Sequence, residues 1–395
     1  MSSNVRDAVS RVRNKSDYYD YNLLAAVILL TCFGLVMLYS TSAYMAELKF
    51  GNDMYYFKKQ ALISLACILL AILVSFVDYH VLSPLGGVIF LAAFILMALV
   101  QTPLGVEVNG ARRWLNLGIQ FQPSEVAKIA VIVFVPIVIV RMGRRFQGLK
   151  ACIFPLALGL VLGFGAYKFT ENLSTAIIIV GIACVIVFIA HPRTAPFVLI
   201  MVAAVVVVGA AIFILSQTME SSDSFRLRRV LVWLDPEKYS EEGGYQILQA
   251  LYALGSGGFF GKGLGNSTQK LGSVPEAQND MIFSIVCEEL GIFGGAIVLL
   301  LFGYLIYRLF FIAQNAPDLF GSLMVVGIMA HISLQVILNI CVVINLVPTT
   351  GITLPFISYG GTSVFFLMME MALALSVSRK IKFQKEERDL WGEVV

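Results

Sequence analysis

Asp280 closes the run Val274-Pro-Glu-Ala-Gln-Asn-Asp280 and stands directly ahead of a long apolar stretch. A carboxylate held between water and hydrocarbon can take a proton from a substrate hydroxyl at the same depth, which is general-base chemistry. Asp280 and its neighbour Asn279 are equally suited to capping a helix N-terminus, so the residue type alone leaves both roles open. Farther along, Glu288 and Glu289 are placed deeper, with at least one expected to face the protein interior.

A second constellation lies in Gln122-Pro-Ser-Glu-Val-Ala-Lys128. On a helix, Glu125 and Lys128 share one face at i, i+3 and can pair. An acid near a helix N-terminus is also favoured by the macrodipole, and a lysine can snorkel, so a purely structural ion pair competes with a binding role. Upstream, Asn109-Gly-Ala-Arg-Arg-Trp114 offers two guanidinium groups, Arg112 and Arg113, beside an indole. Guanidinium suits bidentate phosphate binding and Trp suits the membrane interface, so the segment reads as a substrate clamp or as a headgroup anchor. Ser358-Tyr-Gly-Gly361 sits in a Gly- and Pro-containing stretch.

Other signals are weaker. Gly255-Ser-Gly-Gly-Phe-Phe-Gly-Lys-Gly263 lacks the spacing of a phosphate-binding P-loop. The six cysteines form no C-x-x-C pair, and His80, His191 and His331 are isolated, which argues for packing roles and against a zinc site.

These residues must be positioned by helices in a membrane. Of 395 residues 58% are hydrophobic and only 13% charged, with a mean hydropathy of +0.85. Soluble domains carry roughly 25% charged residues. Lipid admits only helices or closed barrels, and the long uninterrupted apolar runs exclude a barrel's alternation. A formal charge of +3 with no basic, aromatic-interleaved block speaks against nucleic-acid binding.

The sequence therefore predicts an all-α, polytopic integral membrane protein. Spans are expected near 23–41, 61–77, 82–100, 124–140, 151–167, 173–190, 195–216, 282–307, 319–346 and 361–378. The first span is long enough to cross and lacks a convincing cleavage site, so it is read as retained. Lys and Arg cluster before the first span, after the fourth and after the tenth, which places both termini in the cytoplasm. Residues 1–22 are then an N-terminal tail, 23–378 a ten-helix domain and 379–395 a C-terminal tail, with 217–281 a long extracytoplasmic loop. Within that loop, Gly243–Leu254 has helical apolar spacing and is expected to lie on the membrane surface. The stretch 347–361 is expected to be a partly unwound re-entrant segment, which is tolerated at membrane depth only where protein or a wet cavity satisfies its backbone.

Taken in order, Gly34–Ala43, Asn109–Trp114, Gln122–Lys128, Trp233-Leu-Asp-Pro236 with Gly244-Tyr-Gln246, Gly263–Ser267, Pro275–Gly291 and Gly351–Thr362 resemble the SEDS family of bacterial cell-wall synthesis, FtsW, RodA and SpoVE. The set covers nearly the whole chain. Gly263-Leu-Gly-Asn-Ser267 with Gln269-Lys270 is more similar to FtsW or SpoVE than to RodA.

The resemblance implies a peptidoglycan glycosyltransferase of the bacterial cytoplasmic membrane. It would polymerise lipid II at the outer face during division or sporulation, paired with a class B penicillin-binding protein and with other division or elongation proteins. It implies that Asp280 is the catalytic base. Arg112, Arg113, Glu125, Lys128, Glu276, Ser358, Tyr359, Gly360 and Gly361 would contact substrate, with Ser358-Tyr-Gly-Gly361 supplying backbone donors, and a divalent cation such as Mg or Mn is compatible with the chemistry. The family's usual Thr and Phe flanking the aspartate are Asn279 and Met281 here, and a frequent Pro-Asp-Leu-Gly reads Glu171-Asn-Leu-Ser174, which removes a carboxylate at Asn172. Two other functions fit a ten-helix bundle: a lipid II flippase with polar groups along a transmembrane path, and a scaffold without catalysis of its own.

Overall fold

The computed structural model describes residues 18–382 apart from 109–110, 117, 119, 219–224, 273 and 276. Along the chain the helices are α1 (Tyr21–Phe50), α2 (Tyr55–Ser75), α3 (Leu82–Leu99), α4 (Pro123–Met142), α5 (Ile153–Phe169), α6 (Leu173–Ala190), α7 (Ala195–Thr218), α8 (Phe225–Leu234), α9 (Gly244–Ser256), α10 (Ile282–Asn315), α11 (Leu319–Val343) and α12 (Gly361–Ser378). Among the described residues nine helices are long and apolar enough to cross a bilayer. α7 is 24 residues long without an ionisable side chain, and completes the expected ten.

Helix ends depart from the hydropathy reading in an instructive way. α1 runs nine residues past the expected boundary at 41, because a helix does not stop where its sequence becomes polar. It ends at Gly51, whose φ of 63° allows its N–H to cap the carbonyl of Glu47 at 2.9 Å. The stretch 101–123 is not simply a loop. It holds a three-stranded antiparallel sheet of β1 (Gly105–Val108), β2 (Ala111–Asn116) and β3 (Gln120–Phe121). The sequence between β1 and β2 is Asn109-Gly110, a dipeptide common in two-residue hairpin connections.

Most spans are apolar all round, as helices must be when one side faces protein and the other lipid. α4, α11 and α12 form the protein-facing centre, while α2 and α3 leave large side chains such as Leu62, Leu69, Leu73 and Val88 facing outward. Small residues allow close helix contact: a Cβ built on Gly159 of α5 would lie 2.4 Å from the Cβ of Ala183 on α6.

The two ends of the bundle differ. At one end Tyr18 N–H donates to the carbonyl of Ile381 at 3.4 Å, so the N- and C-terminal segments meet there. Asp20, fully buried, caps α1 through Leu23 N–H at 2.9 Å and pairs with Arg308 of α10 at 2.7 Å. At the opposite end lie the sheet, α8, α9 and the irregular segment 344–360. That segment dips inward: a Cβ on Gly34, well inside α1, would meet the Cα of Ile357 at 2.6 Å. Leu354, Phe356 and Ile357 are buried, as expected of a re-entrant stretch satisfied by surrounding protein.

Candidate functional site

A cavity of about 1700 Å³ opens at the end of the bundle that carries the sheet and the re-entrant segment. Asp280 lines it, together with Arg113, Glu125 and Lys128. The structure therefore gathers four of the sequence-selected residues from three separate stretches of chain.

The backbone around Asp280 is pinned at three successive carbonyls. Tyr359 N–H donates to Gln278 at 2.9 Å, Ser358 Oγ to Asn279 at 2.6 Å, and Asn339 Nδ2 to Asp280 at 2.8 Å. Asn339 also donates to the carbonyl of Ile352 at 2.7 Å, and Gln335, one turn earlier on α11, to that of Thr353 at 3.0 Å. Helix α10 starts after Asp280: its cap position is Met281, with no side-chain cap. The capping role is thus not the one Asp280 fills, and the residue lines the cavity instead.

Arg113 owes its place to an irregular strand. In the β1–β2 ladder Val106 pairs with Trp114 and Glu107 with Arg112, so Arg113 is the extra residue of a bulge. Bulges re-aim side chains. Arg113 is directed into the cavity wall, whereas Arg112 is half-exposed and meets Glu107 at 3.7 Å outside it. Arg112 was expected to bind substrate alongside Arg113; the bulge separates the two. Burial pushes the pKa of the Arg113 guanidinium below its ordinary value, partly offset by Glu171, and its buried Nε has no hydrogen-bond partner among the described residues.

Arg229 on α8 was not selected from sequence, although it lies in a cationic, apolar-spaced stretch of the long loop. It lines the cavity and donates from Nη1 to the carbonyl of Thr349 at 3.1 Å. Burial and then the neighbouring Arg113 charge lower its pKa, and the Asp280 carboxylate works the other way. Lys59, Arg113, Lys128 and Arg229 face Glu125, Glu171 and Asp280 around the cavity, a lining with one cation in excess that favours an additional anion. Glu171 also lines the cavity from the α5–α6 turn, at a φ of 49° that non-glycine residues rarely adopt. The carboxylate missing at Asn172 has a neighbour one position earlier, and Asn172 instead caps α6 through Thr175 N–H at 3.0 Å.

Glu125 and Lys128 pair at 2.9 Å, both almost buried yet on the cavity wall. The wall continues through Tyr359, Gly360 and Gly361, while Ser358 lies behind it. Three of the four backbone donors expected here are engaged within the protein: Ser358 N–H bonds the Leu354 carbonyl, Tyr359 N–H that of Gln278, and Gly360 N–H reaches Gln60 Oε1 at 3.4 Å. Glu276 lies outside the described residues.

Glu288 and Glu289 both point inward, but to a different purpose. Glu288 binds Lys262 at 2.7 Å and Ser267; Glu289 binds Lys270 and Ser40, each at 2.7 Å. They hold the glycine-rich segment against a break in α10 at Gly291. His331 and Glu370 pair at 2.8 Å, buried between α11 and α12. Among the described residues no three His, Cys, Asp or Glu side chains group as metal ligands.

Comparison with known proteins gives a consistent picture. A family model, FTSW_RODA_SPOVE, described as "Cell cycle protein", matches residues 20–383. Stage V sporulation protein E of Bacillus subtilis (strain 168) is 37% identical over 367 residues, covering 92% of this chain and 98% of its own. The probable peptidoglycan glycosyltransferase FtsW of Geobacter sp. (strain M18) is 34% identical, covering 92% and 98%. A chain from a structure of a peptidoglycan synthase complex, which describes coordination of polymerization and crosslinking, superposes with a TM-score of 0.75 at 27% identity, covering 91% of this chain and 98% of that one.

Proposed function

The chain belongs to the FtsW/RodA/SpoVE family of cell cycle proteins, and from that premise we propose how its cavity works as a peptidoglycan glycosyltransferase polymerising lipid II. The protein is a multi-pass component of the cytoplasmic membrane, and its cavity faces the outer side, as the Lys and Arg distribution supports.

Lipid II presents a polyprenyl tail, a diphosphate and a disaccharide at one depth, which a cavity at a bundle end is suited to receive. Asp280 accepts the proton of the acceptor N-acetylglucosamine 4-hydroxyl as that oxygen attacks the anomeric carbon of the donor N-acetylmuramate. The anomeric bond to the polyprenyl diphosphate breaks on the opposite face, with inversion. Arg113, Arg229 and Lys128 stabilise the charge that collects on the departing diphosphate. Glu125 holds Lys128, and Glu171 offsets the burial of Arg113.

The observation that carries this reading is the meeting of one backbone-pinned carboxylate with Arg113, Arg229 and Lys128 on a single cavity wall. The ionisable groups deeper in the bundle, His331 and Glu370, are sealed against each other, which favours a one-sided catalytic site over a flippase path. The protein works with other cell-wall enzymes, and a class B penicillin-binding protein that crosslinks the new strands is the partner this reading assigns. Purified protein should polymerise lipid II in detergent, and Asp280→Asn should abolish polymer while the protein stays folded. Polymerisation by the Asp280→Asn variant at the wild-type rate would refute the assignment.

A further inference from the structure

A line of aromatic rings leads from the cavity to the outer surface of α1 and α2. Tyr359 is on the cavity wall, and its ring meets Tyr56 edge-on at 5.1 Å. Tyr56 meets Phe50 at 5.8 Å, and Phe50 stacks on Tyr55 at 4.0 Å with only 17° between planes. Phe50 is 49% and Tyr55 38% exposed, so the line ends in open ring surface. The base under it is stiff: α1 and α2 are joined only by Gly51–Met54, fixed by the Gly51 cap, by Asn52 Oδ1 accepting from Met54 N–H at 3.0 Å, and by Tyr39 donating to Asp53 at 2.8 Å.

Aromatic residues at this depth ordinarily form a belt, each ring facing lipid independently. Here the rings touch one another: Tyr55 also meets Tyr56 edge-on at 5.5 Å, so Phe50, Tyr55 and Tyr56 form one cluster, which Tyr359 joins to the wall of the cavity. Lys59, which also lines the cavity, interacts with the Tyr359 hydroxyl and gives the line a polar edge at its inner end. Hexose rings present an apolar C–H face and a rim of hydroxyls, the complement of an aromatic face with a polar edge.

We propose that Tyr359, Tyr56, Phe50 and Tyr55 form a saccharide-binding track that holds the sugar backbone of the growing strand as it leaves the cavity. The proposal rests on the glycosyltransferase reading above. Its consequence is processivity: a strand held outside the cavity remains attached between successive additions, and a strand released early is short.

The test uses the full-length protein in vesicles with purified lipid II, the products being sized by gel. Phe50→Ala combined with Tyr55→Ala should shorten the mean strand about fivefold, the scale expected from losing ring contacts, while Phe50→Tyr with Tyr55→Phe keeps strands long. A merely destabilised enzyme, or one whose rings only anchor lipid, makes fewer strands of normal length. Strands of wild-type length from the double-alanine protein, in any amount, would therefore overturn the track while the wild type still polymerises. Absence of polymer from the wild type itself would overturn both readings.

Discussion

Asn339 ties the carbonyl of Asp280 to that of Ile352, donating to them at 2.8 Å and 2.7 Å. One amide on α11 thereby fixes the distance between the candidate base and the re-entrant segment that walls its cavity. Replacing it with Ala leaves both carbonyls without this donor, at a cost of about 1–3 kcal/mol for each buried group left unsatisfied. Because the amide positions Asp280 without touching substrate, turnover should fall about 10- to 100-fold with little change in KM. Steady-state polymerisation over a range of lipid II concentrations, beside a thermal melt, checks this. A proportional loss of folded protein with normal turnover per folded molecule would reduce Asn339 to a structural role.

Arg113 and Arg112 are adjacent in sequence and separated by the bulge. Arg113→Ala should lower kcat/KM by about 100-fold, on the scale of losing one preorganised charge at a developing anion. Arg112→Ala should stay within about twofold, since its contact with Glu107 is a half-exposed ion pair worth about 0–1 kcal/mol. Equal losses from the two variants would mean that the strand geometry does not govern which arginine meets the diphosphate.

That pair also marks how far the sequence could be read. The ten spans were legible because lipid enforces long apolar runs, and Asp280, Glu125 and Lys128 stood out because charge is scarce near the membrane. What escaped was set by local backbone geometry and by contacts distant in sequence. A bulge chose Arg113 over Arg112, and a short helix in the long loop brought in Arg229. Asn339 and Gln335 were hidden inside an apolar span, because an amide at i and i+4 reads as ordinary until the carbonyls it meets are known. Glu288 and Glu289 were legible as inward-facing but not as staples, since their lysines lie some twenty residues away in a segment without regular structure.

The Glu125–Lys128 pair separates structure from chemistry by a double substitution. Lys128→Met leaves a nearly buried carboxylate unpaired and should cost about 3–5 kcal/mol. Adding Glu125→Gln should recover much of that loss in a thermal or denaturant melt, because no unpaired charge remains. Polymerisation should not return, since the cation required at the diphosphate is still missing. Recovery of both stability and activity would show that the pair serves folding alone.

At the other end of the bundle, the hydrogen bond from Lys380, and after it the backbone N–H of His80, hold the Asp78 carboxyl well below its usual range. A depressed carboxylate contributes stability above its unfolded pKa of about 3.9, and loses it as the pH falls through the folded value. Lys380→Met removes the main cause. The wild-type advantage in melting temperature over this variant should be present at pH 7 and shrink below about pH 3.9. Its half-exposed setting makes the difference small, and an advantage that grew on acidification would contradict the sign.

The break in α10 at Gly291 is built from glycines that no side chain can replace. Gly291 has φ 69° and ψ −169°, and Lys262 and Gly263 N–H groups satisfy the carbonyls of Glu288 and Glu289 at 2.9 Å each. A Cβ on Gly261 would lie 2.2 Å from the Glu289 carbonyl oxygen, and one on Gly291 2.3 Å from that of Phe259. Both positions also have positive φ, so alanine meets strain and collision together. The segment so held leads into the run that ends at Asp280, and α10 begins just after it, so a displacement here reaches the base from both sides. Gly261→Ala should destabilise the protein by about 1–3 kcal/mol and lower polymerisation more than the loss of folded protein explains. Gly258→Ala, where a Cβ meets nothing within 4 Å, carries only the cost of its φ of 59° and should be the milder of the two. Comparable losses in the two variants would place the effect in backbone conformation alone and remove close packing against α10 as its cause.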